Sequence, residues 1–428
     1  MGVKQKKSLD SRVWKSIANW KNYFEIQKDI LKSSFTFIAQ GGTIDSLKNE
    51  LNKLSPSPHP LTIEKTIGKN TLQINKLILK NVIRTDNLGH LFPWTFTQGK
   101  DIKIPWVDLK FRKSARISSF DSGQENFSHF IASLHFSINE LSQVENLIIS
   151  QGTDTLANKA CLFAVMLSPY LYASKKKVIF IGSSESGYVE DSLAISNITG
   201  GIYTGLEKQL HGGVYIVTAI RKDQNQVIEI LPGLGTVKLH SDGIFHSPNS
   251  GAILQIVNNR IFKTSLCDDL YERIKNMEIF PYLSRFYFRE TTFDRLEKAF
   301  KLAHIVSVDN DSQIIPLLYN KGKRIFIIKA RGSGTAPIDW KKQLVNIVVK
   351  KNVTVLVITS ADSGDVNLKK YAAGLDIKKV ISGRTLREEA AMTLAVIGHD
   401  LKMNEGYTGD DIQQLIDRFC YLSGMIGD

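Results

Sequence analysis

The sequence predicts an α/β protein of two domains, a larger N-terminal mostly parallel sheet flanked by helices and a smaller C-terminal α/β domain. Three observations predict it. Runs apolar on both faces, such as Leu147-Ile-Ile149 and Val178-Ile-Phe-Ile181, alternate with longer helix-like stretches, the pattern of a parallel sheet covered on both sides. Glycine turns follow directly on two apolar runs, at Gly41-Gly42 and at Gly152. After residue 250 the composition turns charged and aromatic, and then a second strand–helix rhythm starts.

Residues 1–34 read as a basic amphipathic extension. Val13, Trp14, Ile17, Trp20, Tyr23, Phe24, Ile30 and Leu31 recur at helix-like spacing among Lys4, Lys6, Lys7, Arg12, Lys15, Lys21, Lys28 and Lys32. Phe35–Gln40 is the first strand, expected at the centre of the sheet. Residues 60–115, after Ser55-Pro-Ser-Pro-His-Pro60, offer only short apolar runs and suggest no sheet order. Helix is expected near 125–142 and over 155–173. Strands are expected over 145–151, 178–181, 213–219 and 227–231. The N-terminal α/β domain is placed at 35–255 and the C-terminal one at 270–428, with no clear strand between 255 and 300. Beyond that, strands are expected at 304–308, 324–329 and 353–359, with helices at 340–350 and 386–399.

Composition excludes several classes. Of 428 residues, 43% are hydrophobic and 23% charged, which argues against disorder and fibrous repeats. The three cysteines, Cys161, Cys267 and Cys420, form no metal-ligand spacing and suit a reducing compartment. No apolar run approaches the length of a membrane span, and no apolar segment follows the early lysines as a secretory signal requires. A cytoplasmic protein is expected. The net charge of +13 could attract nucleic acid, but no recognition motif accompanies it, and a basic enzyme surface is preferred.

Three motifs carry chemistry. Ala39-Gln-Gly-Gly-Thr-Ile-Asp45 follows a strand and presents the Thr43 hydroxyl on a turn that lets backbone approach a ligand. Ser150-Gln-Gly-Thr-Asp-Thr155 follows another strand, and taken alone it reads first as a capped helix start. Lys238-Leu-His-Ser-Asp-Gly…Phe245-His-Ser-Pro-Asn249 is a polar loop with one lysine. A lysine acts as a base only when its amine is neutral. The Lys175-Lys176-Lys177 triplet is a rival source of such a base, although three lysines opening a strand read as a solvated edge.

In this order the motifs resemble the bacterial-type L-asparaginase (asparaginase/glutaminase) family, whose signatures read Thr-Gly-Gly-Thr-Ile and His-Gly-Thr-Asp-Thr. Lys238 and Phe245-His-Ser-Pro-Asn249 are similar to the stretch that supplies the family's catalytic lysine. Minor matches are collinear: Asp121-Ser122, Gly182-Ser183, Arg331-Gly-Ser-Gly-Thr-Ala-Pro337, Thr359-Ser-Ala-Asp-Ser-Gly-Asp-Val366 and Thr385-Leu-Arg-Glu-Glu-Ala390. The resemblance implies hydrolysis of the side-chain amide of asparagine, or of glutamine, through an acyl-enzyme. Thr43 would be the nucleophile, Thr153 the second hydroxyl and Lys238 its base. Asp154 would contact the substrate's α-ammonium and Ser122 its α-carboxylate, beside the Gly42 and Gly152 turns. The resemblance implies no metal or organic cofactor, a mobile lid over 41–60, and a homodimer or homotetramer with sites between subunits.

The chain departs from the family pattern in four places. Gln40 and Gln151 open the two signatures. Thr335 stands where the family has asparagine. No tyrosine lies between Tyr23 and Tyr170, where the family's lid carries one. The departures favour one alternative, an asparaginase-like protein that binds an amino acid or a partner without turnover. A third reading, the amidase subunit of a tRNA-dependent amidotransferase, fits the charge. It lacks room before Phe35 for that subunit's preceding β-barrel.

Overall fold

The computed structural model describes residues 33–39, 46–48, 54–56, 107–113, 127–185, 193–222, 225–257, 260–275, 290–350 and 352–426. The N-terminal extension 1–32, the Gly-Gly-Thr turn and Asp121-Ser122 lie outside them.

An eight-stranded sheet occupies the N-terminal half, in the order β12-β11-β8-β7-β6-β5-β1-β4. The strands are β1 (Ser33–Ala39), β4 (Val107–Lys113), β5 (Asn146–Ser150), β6 (Lys177–Ile181), β7 (Gly213–Lys222), β8 (Asn225–Pro232), β11 (Leu254–Val257) and β12 (Arg260–Lys263). From β4 through β7 all neighbours are parallel, and β8, β11 and β12 add antiparallel pairs. β2 (Ser46–Lys48) and β3 (Leu54–Pro56) form a separate antiparallel pair within the expected lid, and β9 (Val237–Lys238) pairs with β10 (Phe245–His246).

The helices of this half are α1 (Phe127–Leu141), α2 (Thr153–Ser174), α3 (Leu193–Leu206) and α4 (Ser265–Lys275), and α5 (Glu290–Lys301) leads from it into the second sheet. β5 and β6 are buried at every position, as strands covered on both faces must be. Ile148, Ile179 and Ile181 turn to the α3 side, whereas Leu147, Ile149, Val178 and Phe180 turn to the α2 side. This is the period-2 alternation of a pleated sheet.

The C-terminal half is a parallel four-stranded sheet, β13 (Ala303–Ser307), β14 (Ile325–Ala330), β15 (Thr354–Thr359) and β16 (Val380–Ser382), in that order. Its helices are α6 (Ile314–Asn320), α7 (Ile338–Val348), α8 (Glu388–Asn404) and α9 (Gly409–Leu422). Thr408 opens α9 with a reciprocal cap: its hydroxyl accepts from the Asp411 N–H while the Asp411 carboxylate accepts from the Thr408 N–H. One apolar core links the halves, because α8 packs on α2 from one side and on β14 and β15 from the other.

Three expectations need correction. β1 has β5 on one side and β4 on the other, so it is an interior strand one place from the edge among the described strands, not the centre of the sheet. The stretch 255–300 was expected to hold no strand, yet β12 and most of β11 fall in it and continue the large sheet. Both strands are short, and the apolar pairs Ile256-Val257 and Ile261-Phe262 show no period-2 polarity, although in β11 burial alternates, with Leu254 and Ile256 covered and Gln255 and Val257 half-buried. Lys177 is buried, not a solvated edge. Its ammonium donates to the carbonyls of Thr204, Gly205 and Glu207 at 3.2, 3.1 and 2.6 Å, closing the carboxyl end of α3, where unpaired carbonyls and the helix dipole favour a cation.

Candidate active site

The site forms at the carboxyl ends of β5 and β6, where open α/β sheets bind ligands. After β5 the chain turns at Gly152 in extended conformation and α2 begins at Thr153. No side chain caps this helix. The capping reading of Thr153 therefore fails, and its hydroxyl is free for another use. Thr153 is 7% exposed. Asp154, in the first turn, places its charge at the positive end of the helix dipole.

Lys238 arrives from a different part of the chain. It ends β9, opposite Phe245 on β10, and the fully buried Phe245 ring anchors this short hairpin in the core. The Lys238 Nζ lies 3.1 Å from Thr153 Oγ1 and 2.6 Å from Asp154 Oδ1. The Lys238 side chain is 21% exposed and that of Asp154 54%, so the amine is mostly covered and the carboxylate faces solvent.

The hairpin tip closes on Thr153 through glycine. Gly243 has φ +74, and a Cβ there would stand 2.9 Å from Thr153 Cγ2 and 3.1 Å from the Ser184 amide nitrogen. Gly182, after β6, is similarly tight: a Cβ would stand 3.3 Å from Thr153 Cγ2 and 3.0 Å from the Gln151 carbonyl oxygen. Three chain segments thus meet around one threonine methyl.

Beyond the hairpin, Asn249 crosses to the C-terminal half. Its side-chain amide donates to the Thr385 carbonyl at 3.0 Å and accepts from the Gly364 N–H at 3.0 Å. The lysine motif, which ends on Asn249, and the two minor motifs that contain Gly364 and Thr385 therefore meet at one point. Arg384 braces the same point with carboxylates at Asp365 and Asp417, 3.0 and 3.3 Å away.

A family model described as Asparaginase, N-terminal, matches residues 35–265. The chain belongs to the asparaginase family. Its fold is similar to three solved structures, each at 16% identity. A probable cytoplasmic L-asparaginase from Campylobacter jejuni aligns over 90% of this chain and 100% of its own, with a TM-score of 0.60. The thermostable L-asparaginase from Thermococcus kodakarensis aligns over 92% and 100%, TM-score 0.60. L-asparaginase I from Vibrio cholerae aligns over 90% and 97%, TM-score 0.59. No curated protein sequence matches.

Within this asparaginase-family chain the structure brings Gly152, Thr153, Asp154 and Lys238 together. Thr43, Gly42 and Ser122 lie outside the described residues. The rival lysines sit at the opposite, amino end of β6, where Lys176 donates to the Leu141 carbonyl and Lys177 closes α3. Thr335 lies in a tight turn, its hydroxyl donating to the Arg331 carbonyl at 3.1 Å. Sequence reasoning missed the tight approach of Gly243 and the Ser184 backbone. A lone Gly after Asp in a polar loop gives only a turn signal. It also missed Lys159, whose position in an apolar helix is itself the anomaly.

Proposed function

We propose that this asparaginase-family protein hydrolyses the side-chain amide of L-asparagine, with L-glutamine the second candidate, to the acid and ammonia. Thr43 attacks the amide carbonyl, and ammonia leaves with the transferred proton, giving an acyl-threonine. Water then attacks the acyl carbon and regenerates the threonine. Thr153 and Lys238 move the protons: Lys238 serves as the base for the Thr153 hydroxyl along the N···O line described above. Asp154 holds the substrate's α-ammonium and Ser122 its α-carboxylate. Main-chain N–H groups at Gly42 and Gly152 meet the developing oxyanion, and the amino end of α2 adds positive potential there.

The observation that carries this reading is the contact of Lys238 with both Thr153 and Asp154 in a chain of this family. The scheme uses no metal or organic cofactor. It takes the protein to be cytoplasmic and to work as a homodimer or homotetramer. Among the described residues no helix is long and apolar enough to cross a membrane.

The test is ammonia release from asparagine and from glutamine by the purified chain, beside Thr43→Ala. Turnover of one amide, lost roughly hundreds-fold or more in the variant, supports the reading. A chain that binds either amino acid and turns over neither is the non-catalytic alternative, which the missing tyrosine between Tyr23 and Tyr170 favours.

A further inference from the structure

Lys159 lies six residues into α2 from Thr153, and only 3% of it is exposed. Its helix neighbours Ala157, Ala160, Cys161, Leu162 and Phe163 are buried and apolar. An ammonium in such a setting is costly unless its hydrogens are used. Burial lowers its pKa to about 7. Its Nζ lies 5.8 Å from the centre of the Phe130 ring and 6.0 Å from that of Phe163, within reach of their negative faces. It donates to Gln151 Oε1 at 3.3 Å.

Gln151 is the residue immediately before Gly152 and is 4% exposed. Its amide nitrogen Nε2 donates to Thr155 Oγ1 at 2.9 Å. Its main-chain N–H donates to the Ile181 carbonyl at 3.0 Å. While Lys159 is charged the side-chain amide has one orientation, since a flip would set NH2 against the ammonium, donor to donor. The turn from β5 into α2 is thereby tied to the body of the same helix and to the end of β6.

We propose that Lys159 is a positioning residue: through the Gln151 amide it fixes the turn that aims the Thr153 hydroxyl at Lys238. Neither Lys159 nor Gln151 needs to touch substrate in this role. The kinetic consequence rests on the amidohydrolase reading above, whereas the structural consequence does not.

The experiment compares the full chain with Lys159→Met, Gln151→Leu and the double variant. Methionine keeps the length and apolar stem of lysine, and Gln151→Leu cuts the same link from its other end. Amide hydrogen exchange is followed by mass spectrometry in segment 151–157, with β15 as the internal reference. Each single variant is expected to speed exchange in 151–157 roughly tenfold or more while β15 is unchanged. The double variant is expected to add nothing beyond Gln151→Leu, because that change already breaks the link that Lys159→Met removes. In parallel, kcat for asparagine is expected to fall roughly tenfold with KM within about twofold, the mark of a misaimed group and not a lost binding contact. Unchanged exchange in 151–157 overturns the proposal. So does faster exchange throughout the chain, the sign of a lysine that only fills the core, or a double variant whose effects add. A parent chain that releases no ammonia refutes the amidohydrolase reading alone, and the exchange data still decide the role of Lys159.

Discussion

The Lys238 Nζ stands 3.1 Å from the Thr153 hydroxyl oxygen, although 85 residues of sequence separate them. The pairing separates charge from basicity in a simple experiment. Lys238→Arg keeps a cation beside Asp154 but cannot give up a proton near neutral pH. Lys238→Met loses both. Both variants are expected to lose asparagine turnover by roughly hundreds-fold or more, as is Thr153→Ala. An arginine variant that retained activity would show that Lys238 supplies charge and not a base.

Gly243 tests how closely the hairpin must approach. Gly243→Ala adds a methyl where φ is +74 and the nearest carbon is Thr153 Cγ2 at 2.9 Å. The left-handed backbone alone costs about 1–2 kcal/mol for a residue with a Cβ. Thermal unfolding is expected to show that loss. Turnover is expected to fall further than stability does, since relief of the clash moves Thr153 or the hairpin bearing Lys238. Equal activity in the variant would mean that the tip moves independently of the threonine.

Asn249→Ala removes one donor and one acceptor that join the hairpin's extension to Thr385 and Gly364. Each hydrogen bond contributes about 0.5–1.5 kcal/mol, so a loss of about 1–3 kcal/mol is expected by denaturant titration. Asn249→Asp retains the acceptor for Gly364 but sets a carboxylate against the Thr385 carbonyl. It is expected to be no better than alanine.

His399, on α8, predicts a pH dependence. Burial, followed by the nearby Lys402, lowers its pKa from 6.5 to about 4. Its Nδ1 lies 3.0 Å from the Thr354 hydroxyl oxygen. Between pH 6.5 and 4 the unfolded chain holds the proton and the folded chain does not. Stability therefore falls as the pH drops through this window, by an order of 3 kcal/mol in all. His399→Gln is expected to flatten that part of the stability curve, measured by denaturant titration at pH 4, 5 and 7.

The sequence was most legible where local pattern and chemistry coincide. Val178–Ile181 and Val355–Ile358 announce buried strands because nothing polar interrupts them. Thr153, Asp154 and Lys238 stand out because each belongs to a motif whose order along the chain is informative. What escaped depends on distant partners. Lys177 reads as solvent-facing until the end of α3 is brought over it. Gln255–Lys263 reads as loop because an edge hairpin needs only one apolar face. Gln151 looks like a bare departure from a signature until Lys159, eight residues on, is seen to hold its amide.

Asn249 also orders events in time. Its two partners, Gly364 and Thr385, are synthesised more than a hundred residues after it. While the chain is still on the ribosome, the large sheet can be complete through Lys263 and the hairpin with Lys238 can already exist. The brace that holds the hairpin's extension cannot form until residue 385 has emerged. A nascent or truncated chain ending before that point would carry every motif of the site on an unbraced loop, so the last third of the gene is needed to finish a site encoded in the first two.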